Sequence, residues 1–282
     1  MVLDTGTWAW LWNHGDSFAT LDAARIAADL RAHGIVGVLP HGTATAVTTW
    51  LRRGALAKFT DAGIAVCPSL SYVRAPAILA CLELDVGYLG GGRCMMDWEG
   101  WWDGQQALAT QEVNRVLAAA PDAAQRVTDC PWWAPLFLVT ESGRHQPTHP
   151  RAPTKEFGRL ATQDRYVEAY GAPESGRSAR MLAWARSPTQ YASLGSWTVR
   201  GAFQLYERSL NDTIRTTLAE PTQCLWSWLE ADADPKKALR VVLKLRELGF
   251  VGVPAVTQFQ ASRGLVVDDV VGTKTLAALG IK

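Results

Sequence analysis

Through about residue 230 the chain alternates short apolar runs with longer, alanine-rich amphipathic stretches. Successive βα units leave this pattern, because parallel strands are buried on both faces and the helices that cover them show one apolar stripe. The apolar runs predict eight strands, at Thr7–Asn13, Ile35–Pro40, Ile64–Leu70, Cys94–Glu99, Pro135–Thr140, Tyr166–Tyr170, Thr198–Tyr206 and Cys224–Leu229. Helices are predicted at Leu21–Ala32, Ala44–Ala62 and Gln105–Ala120, stopped by Gly34, Gly63 and Pro121. Ser142–Thr162, rich in Pro, His and Arg, reads as a long loop in place of a fifth helix. Eight such units predict an α/β fold, a (β/α)₈ TIM barrel over residues 1–233.

From Asp234 the pattern changes to a lysine-rich helix, Pro235–Gly249, and then to a short glycine-punctuated segment. Residues 234–282 are expected to form a small helical C-terminal module. The helix fits three roles equally: last barrel helix, first helix of the module, or both.

Composition narrows the function. With 48% hydrophobic and 20% charged residues the chain has the balance of a soluble protein with ample core. A formal net charge of +1 supplies no field for steering toward nucleic acid or an anionic membrane, so neither is expected as a partner. No apolar run spans a bilayer, and the start Met-Val-Leu-Asp-Thr-Gly lacks the charged and apolar regions of a signal peptide. Synthesis in the cytoplasm without signal-directed export is the expectation. The five cysteines are scattered and without CxxC spacing, which predicts reduced, buried thiols rather than a disulfide framework or a zinc cluster. His14, His41, His145 and His149 are too dispersed to predict a metal site. Gly90-Gly91-Gly92 precedes a strand, whereas a phosphate-cradling loop follows one, so no nucleotide cofactor is expected.

Barrel enzymes carry their reactive groups at the C-terminal ends of the strands. Here those ends carry His14, His41, Ser69 with Tyr72, Asp97 with Glu99, Glu141, Glu168 with Tyr170, Gln204 with Tyr206 and Glu207, and Trp226 with Trp228 and Glu230. The period of two along a strand turns Asp97 and Glu99 to one side, and likewise each of Glu168/Tyr170, Gln204/Tyr206 and Trp226/Trp228. Two neighbouring carboxylates raise the pKa of one of them, which suits a general acid beside a charge-stabilising partner in glycoside hydrolysis. Glu99 is assigned the acid role and Asp97 the stabilising role. The thirteen tryptophans add flat amphipathic rings suited to sugar faces or to core filling.

The run Cys94-Met95-Met96-Asp97-Trp98-Glu99 resembles the Asp-x-Glu strand end of family 25 lysozymes and the Asp-Trp-Glu of family 18 chitinases. The resemblance implies that Glu99 donates the proton while Asp97 positions the substrate acetamido group, which itself attacks. Tyr170 and Tyr206 would then hold that group and Trp226 would stack on the sugar. His14, Glu141, Glu168, Gln204 and Trp228 complete the expected substrate-binding set. Of the further chitinase aspartates, the positions four and seven before the Glu hold Met95 and Gly92. The C-terminal run, with Phe259-Gln260, Gly264-Leu265, Asp268, Gly272 and Thr275, is similar to a peptidoglycan-binding helical domain whose central loop is shortened to Val251–Pro254. Together these resemblances imply a muramidase-like hydrolase of bacterial peptidoglycan that needs no cofactor. With no signal peptide read, they also imply a phage lysin, free or carried in a virion or tail-like particle. Two alternatives stand beside it: a wall-glycan-binding or structural particle protein without turnover, and a chitinase-like enzyme.

Overall fold

A computed structural model describes residues 6–12, 18–70, 73–84, 92–98, 102–129, 138–139, 145–146, 153–161, 209–219, 222–225, 228 and 233–282. These residues form an α/β structure in which one parallel sheet is covered by helices. Its strands are β1 (Gly6–Trp12), β2 (Ile35–Gly42), β3 (Ala65–Val66), β4 (Ser69–Leu70), β5 (Cys94–Met96), β6 (Val127–Asp129) and, late in the chain, β9 (Thr222–Leu225). They lie in the order β6-β5-β4-β2-β1-β9, with β3 also beside β2, and every pairing in this sheet is parallel. Neighbours in the chain are thus neighbours in the sheet, and the last of these strands lies against the first.

The connecting helices are α1 (Ala23–Ala32), α2 (Ala44–Trp50), α3 (Leu56–Asp61), α4 (Ala75–Leu82), α5 (Gln106–Ala119) and the short α6 (Ala123–Arg126). Their starts carry recognisable caps. Asp22 accepts from the Arg25 amide at 3.0 Å and Thr43 from the Ala46 amide at 3.4 Å. The start of α4 has no side-chain cap of its own; Glu112, buried on α5, accepts from the Ala75 amide at 2.7 Å. α2 and α3 are joined by a π-turn, Leu51–Ala55, where Gly54 has φ of 112°.

Strand alternation sorts the core into two layers. Trp8, Trp10, Leu39, Cys67 and Met95 form one cluster on one face of the sheet. Ala9, Leu11, Val38 and Val66 face the other way, toward α1 and α3, and Cys94, Met96 and Val127 pack beneath α4 and α5. Gly37 is required by the first layer, because a Cβ there would lie 2.4 Å from the Trp8 ring. An enclosed indole buries roughly 150–250 Å², so Trp8 and Trp10, both 0% exposed, are main stabilisers of this layer. The free cysteines Cys67, Cys81 and Cys94 are buried within these clusters, and a hydrogen bond with Cys81 together with burial pushes the Cys94 thiol up.

Three expectations are corrected. The parallel strand after β5 is Val127–Asp129, not Pro135–Thr140; of the latter run, β7 (Leu138–Val139) pairs antiparallel with β8 (His145–Gln146) in a separate two-stranded sheet. The run expected as one strand at Ile64–Leu70 is broken into β3 and β4. The stretch expected as a loop contains helix α7 (Thr154–Gly158), whose Phe157 packs against Trp98 and Trp102. The strands expected at Tyr166–Tyr170 and Thr198–Tyr206 lie outside the described residues.

The C-terminal helices are α8 (Leu210–Ala219), α9 (Ala233–Glu247), α10 (Ala255–Ser262) and α11 (Thr273–Leu279). α9 has two apolar faces. Ala238, Val241, Val242 and Leu245, at helical spacing, join Ile214 and Leu218 of α8 and Phe259, Val271 and Leu279 in one core. Leu239 instead joins the core under α1, Leu243 lies against Gly34, and Lys236 reaches Asp29 at 3.6 Å. This helix thus contributes side chains both to the core under α1 and to the C-terminal cluster. Within that cluster Gln260, 1% exposed, donates to Asp268 Oδ1 at 2.8 Å and to the Val270 carbonyl at 3.0 Å. Its carbonyl accepts from the amides of Asp268 and Asp269, both at 3.2 Å.

Candidate active site

The C-terminal ends of β1, β2, β4 and β5 come together on the face that carries Trp8 and Trp10. In register, Trp12 of β1 lies beside His41 of β2, and His41 beside Ser69 of β4. Ser69 lies beside Met95, and Asp97 follows two residues on, its amide bonded to the Leu70 carbonyl at 3.0 Å. Trp12 is half-buried, whereas His41 is 7%, Ser69 0% and Asp97 3% exposed. The arrangement is a partly open aromatic ring next to an enclosed polar cluster.

Within the cluster, His41 Nδ1 lies 3.1 Å from Ser69 Oγ and 3.7 Å from Asp97 Oδ2. The Trp10 ring packs on the imidazole with centroids 5.0 Å apart. Burial lowers the pKa of His41 to about 4, because an imidazolium here would lose its hydration. The histidine is therefore neutral near pH 7, and its approach to Asp97 is not an ion pair. Ser69 and Asp97 address the same ring nitrogen, so this is not a Ser-His-Asp relay, which uses both nitrogens. The chemistry that the arrangement can perform is the orientation of a buried carboxylate by neutral neighbours.

Of the residues predicted for catalysis and binding, Asp97 is at this site. Trp228 is not: it is 1% exposed in the core between α1 and α9, where its Nε1 donates to Asp29 Oδ2 at 2.8 Å and Lys236 Nζ sits 4.7 Å from its ring centre. Glu99, His14, Glu141, Glu168, Tyr170, Gln204, Tyr206 and Trp226 lie outside the described residues. His41 and Ser69 had been read only as strand-end residues, and Trp12 only as one of a cluster; their partnership becomes visible when strands 28 residues apart are paired. Asp129 ends β6 but accepts from Trp98 Nε1 at 3.1 Å, with Trp98 in the core under α5, which marks a structural role. Among the described residues, no three potential metal ligands come together and no helix is long and apolar enough to cross a membrane.

No protein-family model matches the chain, and no curated protein matches it. Among solved structures it is similar to tryptophan synthase from M. tuberculosis, with 14% identity over 89% of this chain and 88% of that one, at a TM-score of 0.41. It is also similar to a GH20 catalytic module of the pneumococcal exo-β-D-N-acetylglucosaminidase, with 8% identity over 98% and 90% of the two chains, at 0.42. A third similarity is to D-psicose 3-epimerase from Clostridium cellulolyticum H10, with 8% identity over 86% and 98%, at 0.35. These proteins have different activities, and nothing about the chemistry of this chain follows from them.

Proposed function

We propose that the parallel sheet closes as a (β/α)₈ barrel and that its mouth hydrolyses a glycosidic bond in an amino-sugar polymer, the glycan strand of peptidoglycan, in the manner of a muramidase. The order of the strands supports closure, since the last lies against the first and the others follow in sequence. The observation that carries the activity is Asp97. A buried carboxyl stands at the C-terminal ends of consecutive parallel strands, next to a neutral histidine, in an Asp-x-Glu run. In this reading Glu99 protonates the departing sugar oxygen. Asp97 orients the acetamido group, whose oxygen attacks the anomeric carbon, and the half-buried Trp12 offers its ring for stacking on a sugar. Tyr170, Tyr206, Trp226, Glu168, Gln204, Glu141 and His14 remain substrate-binding candidates.

Residues 234–282 are then a shortened peptidoglycan-binding-like unit built against the barrel of residues 1–233 through α9. The chain acts at the bacterial cell wall as a phage lysin, free or carried in a particle. A second reading, a wall-glycan binder without turnover, draws on the 3% exposure of Asp97, since a carboxylate so enclosed can shape the mouth without touching a sugar.

The deciding experiment incubates purified protein with isolated peptidoglycan and follows reducing ends and muropeptide masses for wild type and Glu99→Gln. New reducing ends that vanish in the variant are the expected result. A folded wild type that releases none between mildly acidic and neutral pH, from several wall types, removes the hydrolase reading in favour of the binder. Release from chitin alone points to a chitinase-like enzyme.

A further inference from the structure

His41 is surrounded by partners that differ in what they can accept. Ser69 Oγ, 3.1 Å from Nδ1, can donate or accept a hydrogen bond. An ionised Asp97 has only lone pairs to offer, and its Oδ2 lies 3.7 Å from the same nitrogen. An imidazole lone pair aimed at a carboxylate would be repelled, whereas an N–H there is attracted. The neighbour that cannot switch therefore selects the tautomer with the proton on Nδ1. The Trp10 ring, tilted 31° against the imidazole, limits the plane in which it can turn, and burial keeps a second proton off it near neutral pH. The backbone completes the frame: β2, β4 and β5 are paired in register, so the distance from His41 to Asp97 is set by the sheet rather than by a loop.

We propose that His41 is a positioning residue of the candidate site: as the neutral Nδ1–H tautomer, steadied by Ser69, it holds the Asp97 carboxylate in a single orientation at the strand ends. The functional part of this proposal rests on the reading of Asp97 as the group that orients the substrate. His41 itself acts through Asp97. Its loss should therefore appear in turnover rather than in substrate affinity.

Two measurements test it. In protein labelled with ¹⁵N-histidine, two-bond proton–nitrogen spectra at neutral pH, assigned by the signal missing from His41→Gln, should show His41 protonated at Nδ1 in wild type. Asp97→Asn should relax that preference. A wild-type His41 protonated at Nε2 overturns the proposal. In kinetics on wall glycan, His41→Leu should lower kcat on the order of a hundredfold with KM little changed, the size of effect that a misplacement of about 1 Å produces. His41→Asn, whose side-chain amide can place an N–H near the Nδ1–H position, should recover most of the loss. A His41→Leu protein with normal kcat, or a loss confined to KM, also overturns the proposal. If wild type proves inactive on every glycan while the tautomer and its dependence on Asp97 are found, the hydrolase reading falls and the pairing of His41 with Asp97 stands.

Discussion

Two buried polar centres in this molecule are built on opposite terms. In the C-terminal cluster, Gln260 meets partners of fixed sense: its amide nitrogen donates to the Asp268 carboxylate and to a carbonyl, and its oxygen accepts from two backbone amides. At the strand ends, one nitrogen of His41 faces both Ser69 and Asp97, and burial holds the imidazole at a pKa of about 4. The first centre fastens a loop. The second keeps a titratable ring and a carboxylate out of water, which costs stability and is expected where chemistry rather than packing is the reason for the arrangement. Donor and acceptor identities thus separate a structural polar hub from a candidate functional one.

The contrast is sharpest in Asp97→Asn. Turnover on wall glycan should fall on the order of a hundredfold or more, as when a preorganised electrostatic group is removed. The urea midpoint should stay level or rise, because the desolvation cost of the carboxylate goes with its charge. Initial rates and urea unfolding on one preparation check both, and a variant that unfolds early would make Asp97 a structural residue.

Next in size is the acid response of the His41 centre. The unfolded chain binds a proton on this histidine near its ordinary 6.5 and the folded chain only near 4, so between those values the unfolded state holds more protons. Stability from this group is complete above pH 6.5 and is lost as pH falls toward 4, by about 3 kcal/mol in all. Unfolding free energies measured from pH 7 to 4 should fall more steeply for wild type than for His41→Gln; parallel curves would dissolve the distinction between the two centres.

The smallest effect belongs to the other hub. Gln260→Ala should lower stability by roughly 2 kcal/mol, as backbone amides and a carbonyl lose their partner. The activity of the folded fraction should be unchanged, as judged by a melting curve and a rate measured well below the transition. An activity loss larger than the loss of folded protein would tie the C-terminal cluster to the chemistry.

Much of this was legible in the chain before it was folded. α1 and α5 begin and end within two residues of their expected limits, because an Asp cap, Gly34 and Pro121 mark their ends. β6 was missed because it is only three residues long and follows α6 directly, with no turn residue to announce it. The apolar run at 135–140 looked more like a strand on local grounds, and the sheet nevertheless took the shorter one. Trp228 was misplaced because its packing between α1 and α9, against Asp29 and Lys236, depends on tertiary contacts that period-two alternation does not encode. Asp97 was singled out as a candidate from its motif. His41 and Ser69 were not linked to it, since their meeting depends on the pairing of β2, β4 and β5, which no local pattern encodes.

The path of the chain through α8, β9 and α9 has a consequence for heredity. α8 belongs to the C-terminal core, β9 returns to pair with β1, and α9 serves both. The two cores are therefore braided, and no single crossover between genes can exchange the C-terminal one without also replacing β9, Trp228 and Leu239 of the other. A recombinant joined at residue 233 would inherit Ile214 and Leu218 from one parent and the helices they pack on from the other. Lineages carrying this arrangement should trade the segment from before Leu210 to the end as one block, or not at all.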